Sequence, residues 1–435
     1  MKKNISVLLF CLSALLSNAQ STAYLKVSNH GTMDKIERVS SGGYISLGND
    51  STNKILLVRW DDNFNPVWKY RFTDAAIVGY WYSVKEANDG SFYLMLTTTG
   101  HGSSASVLKF SSSGTLLWQK EYYFTFGALS AMVLSKASGT DNGFLFGGGQ
   151  CAESNYIVKC DSSGNIQWQY QYSYPLASGV ITCWSIITEG NNYVVSSGYN
   201  VNSLLTFRLD PLGSVIAQSA YTYPGMQILP TRLVKLNSTG GYALLGNYNN
   251  SNNNKTEFVA IYNSNLTMLS FNELTVTYTQ FILTDIAAIN NGQNVILDGS
   301  IYDNSIFYIA TINLSNSGSL VWKHLARGNT TTSNLNVQFN GVTALGNSTV
   351  HCGAGYYEGT VVSVMDSAGN GLCNTLPFNL TNVSRTLTLQ SPTINVITSL
   401  ASVAPVTYSY DNSPVFNKTF YCGSLSTSVN EVEEE

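Results

Sequence analysis

The side chains that could carry out chemistry are few in this chain and stand far apart. Its four histidines, His30, His101, His324 and His351, form no metal-binding motif such as His-Glu-x-x-His. There is no Gly-x-Ser-x-Gly nucleophile elbow, and the glycine-rich pieces open strands rather than phosphate-binding helices. We therefore assign no catalytic residue, and we expect no metal and no other cofactor.

Four aspartates recur at a regular spacing and could be mistaken for catalytic carboxylates: Asp61, Asp161, Asp210 and Asp366. Each begins a tight-turn pattern, in which an Asp side chain bonds its own backbone two residues further on. Turn formation accounts for all four of them. The sequence leaves open whether other acidic groups converge in a shared cavity.

The turn at Asp161 belongs to a repeated unit. Tyr156 to Cys160 alternates as a half-buried strand, Asp161 to Gly164 supplies the turn, and a second strand carries Trp168. The position of Asp161 recurs every 49 to 53 residues, seven times in all, and four of the seven units have Trp seven residues after it. Three residues after it comes Gly in five units, whereas Phe64 and Leu266 break the pattern.

Each unit also opens with a second hairpin, whose turn is marked by pairs such as Gly42-Gly43, Asn142-Gly143 and Asn291-Gly292. One unit is therefore four short strands in about 50 residues, a period and strand count typical of a β-propeller blade. The pattern predicts an all-β fold, a seven-bladed β-propeller of four-stranded blades over residues 20–373. Tyr24 to Val27 precedes the first blade, and we expect this N-terminal strand to join the seventh blade and close the ring.

The repeats resemble those of secreted Bacteroidetes propeller proteins, which have the form D-G-G-Y-I…G…K-x-D-x-x-G-x-x-x-W-x-x-x-Y. Gly42-Gly43-Tyr44-Ile45 and the segment from Lys159 to Trp168 match this form. The D-x-x-G-x-x-x-W part is also similar to the tryptophan-docking motif of quinoprotein propellers and outer-membrane assembly scaffolds, which implies that the Trp packs between adjacent blades. The resemblance covers roughly residues 24–373 and implies a fold rather than an activity.

The two ends of the chain differ from the repeats. Residues 1–19 have two Lys, then an apolar run too short to span a bilayer and a small-residue end, which predicts a signal peptide and a secreted or cell-surface protein. Residues 374–423 contain no further repeat, and we expect a small C-terminal β appendage there. The acidic stretch 424–435 resembles the linker before the sorting domain of type IX secretion substrates.

An exported protein with an even number of cysteines after processing permits disulfides. Cys373 and Cys422 bracket the appendage, and we predict that they form a disulfide; Cys151 with Cys183 is a weaker alternative pairing. Cys160 is typical of a buried strand residue, as is Cys352. No Cys-x-x-Cys is present to suggest zinc or redox chemistry.

Charge excludes some partners. The formal net charge is −4, only 11% of residues are charged, and no basic stripe exists for nucleic acid. No later segment is long and apolar enough to span a membrane, and we expect a monomer.

In propeller topology the two tight turns of each blade lie on one face and the longer connections on the other. Loops on a rigid scaffold usually carry function, so we place the ligand site on the long-loop face. Aromatic residues beside Asn- and Ser-rich loops suit a glycan or a protein ligand, although many such rings instead pack between blades as core. The candidate ligand-binding residues are Tyr80, Trp81, Tyr82, Tyr174 and Tyr223.

The function that follows is a non-enzymatic binding or adhesion module. The alternatives are a propeller enzyme, either a polysaccharide lyase or hydrolase or a quinoprotein-like dehydrogenase, and an envelope scaffold. Seven units instead of eight and the lack of adjacent cysteines argue against the quinoprotein. Convergence of ionisable residues in the central channel would favour an enzyme, and an apolar patch on the rim would favour a scaffold.

Overall fold

The structure is a computed structural model of the 435-residue chain. It describes residues 23–26, 32–50, 52–74, 77–98, 104–124, 132–149, 154–174, 182–198, 202–223, 225–249, 255–303, 306–327, 337–355, 359–372, 375–376, 378–390, 394–398, 401–411 and 419–423.

The first strand and the first three blades follow the predicted hairpin order. They are β1 (Ala23–Lys26); blade 1 with β2 (Lys35–Arg38), β3 (Tyr44–Asn49), β4 (Ile55–Trp60) and β5 (Pro66–Phe72); blade 2 with β6 (Ile77–Glu86), β7 (Phe92–Thr98), β8 (Ser104–Phe110) and β9 (Leu116–Phe124); and blade 3 with β10 (Met132–Lys136), β11 (Phe144–Gly149), β12 (Ser154–Cys160) and β13 (Ile166–Ser173).

The remaining blades repeat this order. They are blade 4 with β14 (Cys183–Glu189), β15 (Asn192–Ser197), β16 (Ser203–Leu209) and β17 (Val215–Thr222); blade 5 with β18 (Gln227–Leu236), β19 (Gly241–Asn249), β20 (Lys255–Tyr262) and β21 (Met268–Val276); blade 6 with β22 (Gln280–Ile289), a short 3₁₀ helix (Asn290–Gly292), β23 (Asn294–Asp303), β24 (Ile306–Ser315) and β25 (Leu320–Arg327); and blade 7 with β26 (Val337–Leu345), β27 (Ser348–Gly355) and β28 (Gly359–Met365).

Blade 7 has only three strands of its own, and β1 supplies the fourth. Strand β1 pairs antiparallel with β28, with Tyr24 opposite Ser363. The predicted seven-bladed propeller, closed by an N-terminal strand, is therefore confirmed. Closure of the ring removes a free edge that could pair with other chains.

The turns form as the sequence pattern predicts. Asp161 Oδ1 accepts hydrogen bonds from the backbone amides of Ser163 and Asn165, both at 2.9 Å. Gly164 takes a left-handed φ of 77°, which glycine adopts at little cost. Phe64 and Leu266 adopt the same conformation, at φ 59° and 63°. Their side chains are buried, which compensates for the backbone strain.

Adjacent blades are joined through these turns. Four Trp indole groups each donate a hydrogen bond to a turn carbonyl of the following blade: Trp68 to Ser112 at 3.1 Å, Trp118 to Ser162 at 3.2 Å, Trp168 to Pro211 at 2.9 Å and Trp322 to Ser367 at 2.8 Å. The turn that makes each hairpin thus also supplies the acceptor that links two blades.

The end of the chain, expected to be a small β appendage, is a series of short strands spread around the ring. Its short strands are β29 (Thr375–Leu376), β30 (Leu380–Arg385), β31 (Thr388–Gln390), β32 (Asn395–Thr398), β33 (Ala401–Pro405), β34 (Tyr410–Asp411) and β35 (Thr419–Gly423). Each one adds antiparallel to the outermost strand of a different blade, in the order of blades 6, 5, 4, 3, 2, 1 and 7. We call this segment the belt (residues 375–423), and it gives every blade a fifth strand.

The belt is held by apolar side chains that point between blades. Phe378, Leu387, Ile394 and Tyr408 are 5 to 8% exposed and belong to the cores shared by neighbouring blades. Strands of two to six residues cannot form a stable sheet alone, so they pair with an existing edge instead. That pairing satisfies the outer backbone groups of each blade.

Candidate functional site

The first strands of the blades surround a central channel. Its cavity of about 680 Å³ is lined by residues of β2, β6, β10, β14, β18 and β22, together with Asn247 and Lys255. This volume lies within the range of small-ligand pockets. The channel is therefore the candidate functional site among the residues that the structure describes.

Several first strands carry a β-bulge at the same level of the channel. One residue has no cross-strand partner in β14 (Trp184), in β18 (Thr231) and in β22 (Thr284). All three residues line the cavity. Bulges redirect side chains and are common beside functional sites, and here they place Trp184, Thr231 and Thr284 in the channel wall.

Glycines in the second strands make room for two of these bulges. A Cβ atom at Gly246 would lie 2.7 Å from Leu229 O, and one at Gly299 would lie 2.0 Å from Ile282 O. A glycine inside a strand often marks a bulge or a close backbone approach. These glycines were a sequence signal for the bulges in blades 5 and 6, which the turn pattern alone did not reveal, whereas β15 opposite the missed residue Trp184 has no glycine.

The five predicted ligand-binding residues occupy different environments. Residues 79–81 form a longer bulge in β6, since Val78 pairs with Thr97 and Tyr82 with the adjacent Leu96. The side chains of Tyr80 and Trp81 lie outside the described residues. Tyr82 lines the channel, donates a hydrogen bond to the Asp34 carboxylate and accepts one from Asn49 Nδ2 at 3.0 Å.

The other two predicted residues pack between blades. Tyr174 is 2% exposed in the core shared by blades 3 and 4. Tyr223 is half-buried, donates a hydrogen bond to Glu273 Oε1 at 3.0 Å and packs edge-on against Tyr248 of blade 5. The structure therefore brings Tyr82 to the channel but not Tyr174 or Tyr223, and ligand binding by any of the five stays a prediction.

Among the residues that the structure describes, three cysteines are free and fully buried: Cys160, Cys183 and Cys352. The strand positions predicted for Cys160 and Cys352 are therefore confirmed. Cys183 lines the channel, and burial raises the pKa of its thiol. Its suggested partner, Cys151, lies outside the described residues. So do Cys373 and the side chain of Cys422, and their disulfide stays a prediction.

A network of charges crosses the channel. Arg232 of blade 5 contacts both carboxylate oxygens of Asp285 in blade 6 at 2.6 Å, and it lies 3.3 Å from Glu37 Oε1 in blade 1. Glu37 also pairs with Lys85 of blade 2. The Val342 amide donates to Asp285 Oδ2 at 3.0 Å. Five blades are thus connected around the channel by one set of charge-assisted bonds.

The pKa values in this network favour the charged forms. Burial acts to raise the pKa of Glu37, but Lys85 and Arg232 outweigh it, so the pKa is lowered. For Asp285, burial is likewise outweighed by Arg232 and Lys35, and its pKa is lowered. Both carboxylates therefore remain ionised at neutral pH, and neither is suited to act as a general acid.

Glu257 behaves in the opposite way. Its side chain is 1% exposed, and burial raises its pKa to about 7, although Lys255 opposes the shift. Lys255 Nζ lies 3.1 Å from Oε1, yet neither carboxylate oxygen accepts a well-aligned hydrogen bond from the described residues. Asn247 is its cross-strand neighbour. Asn247 Oδ1 likewise accepts no hydrogen bond from them.

A second buried pair lies between blades 6 and 7, away from the residues that line the channel. His351 Nδ1 lies 2.5 Å from Asp298 Oδ2, and Thr311 donates to Asp298 Oδ1 at 3.1 Å. The side chains of His351 and Asp298 are both fully buried. This arrangement joins two blades and fits the structural role that its strand position suggests for His351.

Two kinds of feature are absent from the described residues. Within the described ranges, no three His, Cys, Asp or Glu side chains are grouped as a metal site would require. No helix in the described part of the chain is long and apolar enough to cross a membrane.

Comparison with known proteins supports the fold. No protein-family model matches the sequence, and no curated protein does. Among solved structures, the chain is similar to Raptor of Chaetomium thermophilum, with 12% identity and a TM-score of 0.50 over 82% of this chain; it spans only 30% of Raptor's length. It is also similar to U3-55K, with 11% identity and a TM-score of 0.50 over 80% of this chain and 99% of that one. The WD40 repeats of RRP9 match equally well, with 11% identity and a TM-score of 0.50. At these identities the likeness establishes the propeller fold alone.

Proposed function

We propose that this protein is a secreted or cell-surface binding propeller that holds a glycan or protein ligand, without catalysis, at the long-loop end of its central channel. The observation that carries the proposal is the convergence of the bulge residues Trp184, Thr231 and Thr284 with Tyr82 on one cavity. Trp184 lies near the start of its first strand, where the chain arrives from the longer connections between blades, and Tyr82, Thr231 and Thr284 lie near the middle of theirs.

The chemistry of this end suits such ligands. An indole offers a flat, rigid contact surface, and the hydroxyls and the Asn247 amide offer directional hydrogen bonds. Trp184 Nε1 donates to Gly198 O at 2.5 Å, which fixes the ring before a ligand arrives. Preorganised contacts of this kind reduce the entropy lost on binding. Secretion is supported by residues 1–19 of the sequence, and a monomer by the closed ring.

The experiment is a binding screen of residues 20–435 against glycans, envelope polymers and proteins, with every hit repeated on Trp184→Ala. We expect the affinity to fall at least about fivefold, as for a contact residue worth more than ~1 kcal/mol. Tyr410→Ala is the matched control, because Tyr410 is an exposed ring on the outer rim. Trp81→Ala tests the ligand-binding role that the sequence predicts for Trp81, which lies in the longer bulge of β6. A ligand whose affinity is unchanged by Trp184→Ala would show that the channel is not the binding site.

A propeller hydrolase or lyase is the second candidate. Ionisable side chains do converge in the channel, and Glu257, which pairs with the lining residue Lys255, has a pKa of about 7, near that of a general acid at neutral pH. Against this, its carboxyl is almost fully buried and the other carboxylates of the network are ion-paired. Turnover of any saccharide hit, abolished by Glu257→Gln, would favour the enzyme over the binding module.

A further inference from the structure

The charged side chains that line the channel are mostly basic. The basic side chains are Lys35, Lys85, Arg232, Lys235 and Lys255. The acidic ones are Asp34 and Glu37. This excess is unexpected in a chain with a net charge of −4. Walls of low dielectric strengthen the field of such charges inside a cleft.

Neighbouring carboxylates pair with four of these five cations: Glu37 with Lys85, Asp285 with Arg232, Glu189 with Lys235 and Glu257 with Lys255. Glu37 is shared by two of them, since both Lys85 and Arg232 contact its Oε1. Glu189 is also shared, at 3.3 Å from Lys235 and 3.0 Å from Arg208. No carboxylate of the described residues lies within salt-bridge distance of the Lys35 ammonium. Lys35 is therefore the cation with the most free capacity for an anion.

A polar acceptor in the channel wall narrows the choice of ligand. Asn247 lines the cavity and is only 8% exposed, yet its Oδ1 accepts no hydrogen bond from the described residues. A buried acceptor without a donor costs free energy. Because this oxygen has almost no accessible surface, a ligand in the cavity meets the rest of the Asn247 amide together with Thr231 and the Trp184 ring, and a ligand rich in hydroxyls suits these groups.

We propose that the channel recognises an acidic saccharide, one that carries a uronate carboxylate, and that Lys35 is the group that receives the carboxylate. This inference rests on the proposed function and specifies its ligand class. The sugar ring lies against Trp184, its hydroxyls bond the bulge residues and Asn247, and the carboxylate points to Lys35 beside Arg232. The cavity of about 680 Å³ is suited to a small ligand of this kind.

The test uses isothermal titration calorimetry of residues 20–435 with trigalacturonate, with its methyl ester and with triglutamate. The methyl ester keeps the sugar and removes the charge, so we expect it to bind at least about tenfold more weakly, as for loss of a hydrogen bond to a charged group. The affinity for trigalacturonate should also fall as NaCl is raised, because salt screens the attraction. Equal binding of acid and ester would overturn the inference.

Variants distinguish the loss of the Lys35 charge from a loss of folding. Lys35→Ala should weaken trigalacturonate binding by about tenfold and leave the methyl ester unaffected, whereas Lys35→Arg should retain most of the affinity. Lys136→Ala is the matched control, since Lys136 is exposed and does not line the channel. Thermal melts exclude unfolding. Triglutamate binding as tightly as trigalacturonate would overturn the saccharide assignment in favour of an acidic peptide.

The two proposals fail in different ways. If acid and ester bind equally and Trp184→Ala weakens both, the channel is a binding site but its ligand need not be acidic. If trigalacturonate binds and neither Trp184→Ala nor Lys35→Ala changes its affinity, the site lies elsewhere, and both proposals are wrong. If no saccharide binds, the acidic-saccharide inference is wrong, and the protein arm of the first screen decides the proposed function.

Discussion

Arg232 Nη2 lies 3.3 Å from Glu37 Oε1 across the central channel, although 195 residues separate the two in sequence. The same guanidinium holds the fully buried Asp285 with two contacts of 2.6 Å. One side chain therefore connects the fifth, sixth and first blades. Its loss would leave the Asp285 charge buried without a cation, which is far more costly than never having placed the charge there.

We predict that Arg232→Ala destabilises the propeller by about 3 kcal/mol, the cost of breaking a buried ion pair. Chemical denaturation measures this free energy of unfolding. The matched variant is the double change Arg232→Met with Asp285→Asn, which removes both charges and should recover much of the loss. If Arg232→Ala unfolds at the same denaturant concentration as the wild type, water in the channel already solvates Asp285.

Glu257 predicts a dependence of stability on pH. Because burial raises its pKa from 4.5 to about 7, the folded state holds its proton more tightly than the unfolded state does. The contribution of this group to stability is therefore largest below about pH 4.5 and is lost as the pH rises through 7. The full difference is of the order of 3 kcal/mol.

We expect Glu257→Gln to be more stable than the wild type at pH 8 and about equally stable at pH 5, as measured by denaturation at the two pH values. Lys255→Ala is the companion variant: it removes the opposing cation at 3.1 Å, so the loss of stability with rising pH should become larger and extend to higher pH. An unchanged pH profile in Glu257→Gln would mean that the carboxyl is solvated in the folded state.

The blades could be predicted because their signals are local. Asp161 bonds amides two and four residues further on, so the turn chemistry is contained in five consecutive residues and recurs once a blade. Closure by β1 followed from the need of a ring for a final strand. The bulge at Trp184 was harder to predict, because it depends on the register between β14 and β15, and β15 has no glycine of the kind that Gly246 and Gly299 provide in blades 5 and 6.

The belt was missed for a different reason. Leu387, Ile394 and Tyr408 follow one another at intervals of 7 and 14 residues, which corresponds to about one buried anchor for each blade. One buried anchor in about seven residues, among Thr, Ser, Asn and exposed apolar residues such as Leu389 and Val396, forms no regular apolar pattern in the sequence. Each belt strand also pairs with a partner far away in the sequence: Leu376 lies opposite Leu325, but Val403 lies opposite Tyr122. No local pattern encodes such pairings.

The turn glycines allow a test of blade contacts apart from backbone strain. Gly164 and Gly90 share a φ of 77°, so replacing either by Ala costs a similar amount in the left-handed region, about 1 kcal/mol. A Cβ atom at Gly164 would also lie 2.9 Å from Lys120 Cδ and Tyr122 Oη and 3.0 Å from Trp118, whereas Gly90 has nothing within 4 Å.

We therefore predict that Gly164→Ala destabilises the protein by about 1 to 3 kcal/mol more than Gly90→Ala, the usual cost of overpacking. Thermal or chemical denaturation of the two variants gives the difference directly, because the shared strain cancels. Equal losses would show that the Trp118 and Tyr122 side chains move aside and that the contact between blades 2 and 3 is adaptable.

The belt contains its own matched pair for testing how it is held. Leu387 is 8% exposed and packs in the core shared by blades 4 and 5, while Leu389, two residues on, is 58% exposed. Leu387→Ala should destabilise the belt by about 2 to 4 kcal/mol through the lost apolar contacts and the cavity left behind. Leu389→Ala should change little, within about 0.5 kcal/mol.

Hydrogen exchange of the β30 and β31 amides is the measurement, because a short edge strand can open without global unfolding. In Leu387→Ala, exchange should accelerate at β30 and β31 while the channel strands β14 and β18 keep their protection. Acceleration in every blade would instead show that the belt and the propeller unfold as one unit. Identical exchange in the two Leu variants would mean that backbone pairing, and not the buried anchors, holds the belt to the rim.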